Sequence, residues 1–313
     1  MNHVQHLVSA AGGLLHRRDL VGAGVCDRQL TAAVRTGTVR RPRRGWYSTW
    51  APEDPRFVAV RVGGRLTGFI ALAPLLPWSA DGRRTPAPIT VSVPRNAARL
   101  RPRRGVRVVY DPPRVQDRGS EWAVHPRDAL ARAIVDAPFD EAVALLDWAM
   151  HSGALTRGDV LAAVGSLPED ARGVLDWADP RCDSYPESIA RTRLRRAGHA
   201  VRPQLPLPTG ERVDLLVNGA VALEIDGRAF HEATFERDRR KDLTIAASGL
   251  VPLRVSARMI ATLWPQVVAA VERASRTRSH GRRSAWVRAV RETPGARRRW
   301  HLRRSGPLPA PTW

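Results

Sequence analysis

Apolar residues change their spacing along this chain, and the changes divide it. Near the start, Val4, Leu7 and Val8 recur at helical intervals up to Gly12 and Gly13. Residues 16 to 21 repeat the pattern, and a third helix is expected from a cap at Asp27 to Arg35, stopped by Gly37. Residues 38 to 44, a turn at Gly45, and Trp46, Tyr47 and Ser48 read as a basic strand pair. Beyond residue 50 a helix is expected over 66 to 76 and strands over 89 to 93 and 106 to 110, between proline-rich joints. Residues 128 to 136, 140 to 151, 156 to 164 and 169 to 177 then show Ala, Val and Leu at helical spacing. From residue 204 the order is strand, strand, helix (234 to 248), strand (250 to 255) and a helix capped by Ser256 that runs to about residue 273.

Helix, glycine turn, helix and strand pair give residues 1 to 50 the outline of a winged helix-turn-helix. Its third helix would expose Arg28, Gln29, Thr31 and Arg35, and its wing Arg40, Arg43 and Arg44, as a DNA-contacting set. Residues 51 to 182, mixed and then helical, hold no catalytic constellation and read as a linker or scaffold. Residues 183 to 273 form an αβ unit, and 274 to 313, rich in arginine and proline, a disordered basic tail. The fold class expected is α/β (α+β).

Charge sharpens the picture. The 313 residues carry 51 Lys and Arg against 30 Asp and Glu, a net charge of +21. Such an excess suits a polyanionic partner, nucleic acid first, because cationic side chains displace counterions from phosphates. A GC-rich coding bias also favours Arg, Ala, Gly and Pro, and explains arginine over lysine better than it explains base over acid. Cys26 and Cys182 stand far apart, against disulfides and zinc. The first ten residues lack a signal-peptide pattern, and the longest apolar run, 66 to 78, is broken by Pro74 and Pro77. A soluble cytoplasmic protein without a membrane segment is expected.

The candidate chemistry lies between Glu187 and His231. Asp214 sits in Val213-Asp214-Leu215-Leu216-Val217, and Glu224 and Asp226 in Leu223-Glu224-Ile225-Asp226-Gly227. Carboxylates on such apolar strands are costly unless a proton, a partner or a hard cation compensates them. Asn218 and Gly219 signal a hairpin. A two-residue loop would put Asp214 and Glu224 on opposite faces; a three-residue loop, 218 to 220, pairs 214 with 224 and puts Asp214, Glu224 and Asp226 on one face. Only the second register builds a site.

Taken in order, Glu187 on a helix, Asp214 on a strand, Glu224-Ile225-Asp226-Gly227 on the next and His231 after it resemble the PD-(D/E)XK nuclease superfamily. The branch most similar is that of very-short-patch-repair endonucleases, over residues 183 to 273. The resemblance implies a restriction-endonuclease-like core, Mg²⁺ or Mn²⁺ held by Asp214, Glu224 and the carbonyl of Ile225, a water oriented by Glu187, and His231 near the scissile phosphate. Where the family has Glu-x-Lys, this chain has Asp226; Lys241, its single lysine, or Arg240 could reach back from the following helix. The segment around Ala11-Gly12-Gly13-Leu14-Leu15 and Arg41-Pro42-Arg43-Arg44-Gly45-Trp46-Tyr47 resembles, more loosely, the N-terminal domain of AbiEi-like antitoxins, which implies a toxin-antitoxin or defence partner.

Each residue also has a plain structural reading. Glu187 follows Ser184 at capping-box spacing, Asp214 could be a strand-edge charge, and His231 a loop or core histidine. Three functions are therefore carried forward. The first is a metal-dependent DNA endonuclease using Glu187, Asp214, Glu224, Asp226, His231 and Lys241. The second is a non-catalytic DNA-binding regulator on a degenerate nuclease fold. The third is a protein-interaction module.

Overall fold

The computed structural model describes residues 2–76, 88–98, 100–101, 104–226 and 235–279. It is a mixture of helices and three small open sheets, of two, three and four strands. Among the described residues no helix is long and apolar enough to cross a membrane.

The first unit contains α1 (His3–Ala10), β1 (Leu14–His16), α2 (Arg17–Gly22), α3 (Asp27–Arg35) and β2 (Trp46–Ser48), around a core that includes Val8, Leu20, Leu30 and Val39. The strand expected over 38 to 44 does not form. β2 pairs with β1 instead, Leu15 opposite Tyr47, and the 38–44 segment meets the sheet at one bridge between Arg40 and Ser48. Pro42 has no N–H to extend a ladder, and the carbonyl of Arg43 accepts from Trp46 N at 3.0 Å, turning the chain at once. The cap of α3 is Cys26, one residue before the expected Asp27.

Next come α4 (Pro55–Val62), β3 (Arg65–Leu66), α5 (Phe69–Leu72), β4 (Ile89–Pro94), β5 (Val106–Asp111) and α6 (Pro113–Gln116). The expected helix over 66 to 76 shrinks because Leu66 pairs with Val91 in a strand and Gly68, at φ 66°, turns the backbone before α5. α4 was not expected, although Asp54 caps it by accepting from Arg56 N at 2.8 Å and Pro55 occupies its first turn.

Three helices follow: α7 (Pro126–Asp136), α8 (Phe139–His151) and α9 (Arg157–Gly165). Their core holds Leu130, Leu146 and Trp148. α8 faces two ways, because its Ala144 belongs to the core of the C-terminal unit.

That unit is α10 (Tyr185–Arg196), β6 (Val201–Pro206), β7 (Arg212–Val217), β8 (Val221–Asp226), α11 (Phe235–Ala247), β9 (Val251–Ser256), α12 (Ala257–Thr262) and α13 (Trp264–Ser279). The sheet order is β6-β7-β8-β9, antiparallel except for the parallel β8–β9 pair. Alternation sorts the two faces. Leu215, Val217 and Leu223 pack with Ile189 and Leu194 of α10 and Val267 of α13, while Leu216 and Ala222 pack with Ile245 of α11. The single helix expected from 256 to 273 is two helices, broken where Leu263 leaves helical geometry and Pro265 opens the next turn. α13 runs to Ser279, into residues assigned by pattern to the tail; residues 280 to 313 lie outside those described.

Contacts cross the boundary expected at residue 182. Arg191 of α10 donates to Asp147 Oδ2 of α8 at 2.8 Å with both side chains buried, and Arg193 donates to Asp140 Oδ2 at 2.5 Å. Burial pushes Asp147 up to about 6 in spite of Arg191.

Candidate active site

The hairpin between β7 and β8 sets the site. Val217 faces Val221 and Leu215 faces Leu223, so the loop has three residues, 218 to 220, and one further step brings Asp214 opposite Glu224. Asn218 and Gly219 take left-handed φ values of 53° and 67°, the conformation that Asn and Gly tolerate best. The Asn218 side chain anchors the loop: its Oδ1 accepts from Ala200 N at 3.0 Å and its Nδ2 donates to Ser275 Oγ at 3.2 Å.

By alternation with Ala222, Glu224 lies on the face that α11 covers, whereas the alternation of β7 breaks at Asp214, since Val213 and Leu216 both pack with Ile245. Asp214 Oδ2 accepts from Ile225 N at 2.7 Å, and Asp214 N donates to Glu224 Oε1 at 3.4 Å. Lys241, on α11, donates from Nζ to Glu224 Oε2. The reach that the sequence left open between Arg240 and Lys241 is thus made by Lys241. Glu224 is buried to 4% exposure and Glu187 to 5%.

Glu187 enters from the first turn of α10. Ser184 Oγ donates to its Oε1 at 2.7 Å and Asp183 N to its Oε2 at 3.1 Å, so the capping reading holds. A third donor comes from the sheet: Gln204 Nε2 of β6 reaches Glu187 Oε2 at 3.0 Å. Sequence reasoning gave Gln204 no role, since a neutral amide beside Pro203 carries no sign of the carboxylate it meets.

Three acidic groups so enclosed repel one another. Burial above all, then Glu187, pushes Asp214 up to about 6. Burial, then Asp214, pushes Glu224 up to about 7, and the Lys241 ion pair only partly offsets this. Burial also raises Glu187 against its three donors. Carboxylates held near neutrality in this way take up a proton or a cation readily.

Asp226 acts on this group by charge, raising Asp214, while its own side chain is bonded elsewhere. Arg254 of β9 donates to Asp226 Oδ1 at 3.1 Å and to Asp242 Oδ1 at 3.1 Å, with Asp238 at 3.6 Å. Asp226 is therefore also the acidic partner of a second charge cluster, centred on Arg254. An arginine set between the apolar residues of Leu253-Arg254-Val255 was the signal for it. His231 falls outside the described residues.

Among the described residues no group of three or more His, Cys, Asp or Glu side chains is arranged to hold a metal ion. Asp214 and Glu224 supply two carboxylates, the number Mg²⁺ commonly uses when water and substrate phosphates complete its shell, and the hard oxygen set fits that ion. The cleft lined by Glu141, Tyr185, Arg193 and Ile260 contains none of these residues.

In the first unit Arg28, Thr31 and Arg35 are exposed on α3, as is Gln29, whose Oε1 accepts from Cys26 N at 2.9 Å and whose amide N–H₂ remains for an outside partner. Arg43 and Arg44 are exposed and Arg40 half-buried, all on the irregular segment before β2. No protein-family model matches the chain, and no curated protein matches it.

Proposed function

We propose that the protein is a metal-dependent DNA endonuclease of the PD-(D/E)XK type, similar to very-short-patch-repair endonucleases, with an AbiEi-like winged-helix unit that binds DNA. The observation that carries this reading is the reach of Lys241 to Glu224 beside Asp214, which supplies a cation where Asp226 replaces the family's lysine.

In this reading Asp214, Glu224 and the carbonyl of Ile225 would hold Mg²⁺ or Mn²⁺, which would supply positive charge to acidify water and neutralise the phosphate. Glu187, fixed by Ser184, Asp183 and Gln204, orients the attacking water and takes up its proton. Lys241 stabilises the charge that develops on the phosphate oxygens. Asp226, paired with Arg254, adds negative charge beside Asp214. The surplus of basic charge steers DNA towards the chain.

The alternative is a DNA-binding regulator on a degenerate nuclease fold, working with a toxin-antitoxin or defence partner. The Asp226–Arg254 ion pair and the want of a three-member metal group among the described residues favour it. Supercoiled plasmid, incubated with wild-type protein and Mg²⁺ or Mn²⁺, separates the two. The nuclease reading expects nicking that Asp214→Ala abolishes while DNA binding persists; binding without any metal-dependent cutting transfers the case to the regulator.

A further inference from the structure

Gln204 has a backbone conformation that is foreign to its strand. Its φ is 52°, in the left-handed region, although it lies inside β6 and is not glycine. Pro203 and Leu205 on either side keep their partners Leu215 and Val213 on β7, and the register is unchanged across Gln204. No residue has been inserted: Gln204 lies opposite Asp214, and the peptide is twisted there without a bulge.

Strain of this kind persists only where the surroundings hold it, and it concentrates at working sites. Here it comes with a specific contact, because the carboxamide Nε2 donates to Glu187 Oε2 at 3.0 Å. The other two donors to Glu187, Ser184 Oγ and Asp183 N, come from the chain just ahead of its own helix. Gln204 is the donor that fastens this carboxylate to the sheet carrying Asp214. If φ alone mattered, glycine would serve at lower cost, so the side chain accounts for the residue.

We propose that Gln204 is a positioning residue of the Glu187–Asp214–Glu224–Lys241 site, aiming its carboxamide at Glu187 to hold that carboxylate in line with the strand carboxylates. This inference rests on the nuclease reading. Gln204 makes no bond to substrate in it and acts through Glu187.

Gln204→Gly removes the amide and relieves the backbone, so fold and function should part. The melting temperature is expected to stay level or rise, and Mn²⁺ affinity, set by Asp214 and Glu224, to stay within about twofold. The plasmid-nicking rate at saturating DNA should fall by about 10- to 100-fold, the usual loss when an outer partner of a site is removed, with the half-saturating DNA concentration unchanged. Gln204→Asn tolerates the same φ but is one methylene shorter, and is expected to nick as slowly as Gln204→Gly. Wild-type nicking rates in either variant overturn the inference and leave the nuclease reading intact. A parallel loss of melting temperature or Mn²⁺ affinity overturns it too, by making Gln204 a structural residue. A wild-type protein that nicks nothing overturns the nuclease reading and this inference with it.

Discussion

Lys241 Nζ donates to Glu224 Oε2 across 17 residues of sequence, from within α11 to the end of β8. The pair unites the single lysine of the chain with a glutamate pushed up to about 7. Lys241→Met should push Glu224 above its value of about 7, since one of the influences that lower it is removed. Carboxyl-carbon NMR of Glu224 through a pH titration would read the change, and an unmoved midpoint would show that the pair is not held in solution. Under the nuclease reading the same variant should nick plasmid about 10²- to 10³-fold more slowly, the cost of deleting one charge-stabilising donor.

The raised carboxylates make stability depend on pH with a definite sign. Asp214 and Glu224 have ordinary values of 3.8 and 4.5 and are pushed up to about 6 and about 7 in the folded chain. The folded state therefore binds protons more tightly. Their contribution is complete below pH about 4 and is lost as pH rises through about 7. Glu187 and Asp226 reinforce the shift of Asp214, while Lys241 opposes it for both carboxylates and Arg254 for Glu224. With chelator present, Asp214→Asn should stabilise the protein at pH 8 by up to about 3 kcal/mol, at 1.36 kcal/mol per pH unit, and by almost nothing at pH 4. Thermal melts at the two pH values check this; equal effects at both would refute the linkage.

The α8–α10 ion pair gives the largest expected loss of stability. Arg191 is 1% exposed and Asp147 is fully buried, so cutting the side chain of either leaves an uncompensated charge in the core. Asp147→Ala should cost about 3–5 kcal/mol in denaturant titration. Arg191→Met combined with Asp147→Leu should recover most of that, because the apolar pair leaves no orphan charge.

DNA binding is expected to weaken steeply with salt. Each phosphate that a basic side chain neutralises adds about 0.9 to the steepness of log K against log salt, so Arg28→Ala with Arg35→Ala should reduce it by about 2. Removal of residues 280 to 313, with their many arginines, should reduce it further with little change in sequence preference, because bonds to phosphate position the protein and do not specify a sequence. Filter-binding or anisotropy titrations at four salt concentrations give the slopes; slopes that stay at the wild-type value would remove both segments from the interface.

Much of the site is legible in the sequence because its logic is local. Once a strand carries Asp214 and the next Glu224, a three-residue loop brings the two side by side, and Asn218-Gly219 supplies the turn that makes it. The helices of residues 126 to 151 declare themselves by spacing. Long-range pairing is less visible. Leu14–His16 is three residues long, too short to show alternation, so its union with Trp46–Ser48 could not be read from pattern. Gln204 is hidden for another reason, since no residue type writes a left-handed φ into a strand as glycine would. Asp226 shows its second partnership only in three dimensions, when β9 brings Arg254 alongside it.

The proline in each outer strand of the four-stranded sheet has a consequence for assembly. Among the described strands β6 and β9 are the edges; β6 carries Pro203 and Pro206, and β9 carries Pro252. Val251 N bonds inward to Ala220 O, so the next position, Pro252, is one where an N–H would point outward, and proline has none. On the other side Pro203 and the twisted backbone of Gln204 interrupt the rim. A foreign strand would meet a gap in the ladder at either margin, which disfavours growth of the sheet by strand addition and the edge-to-edge aggregation that such rims invite.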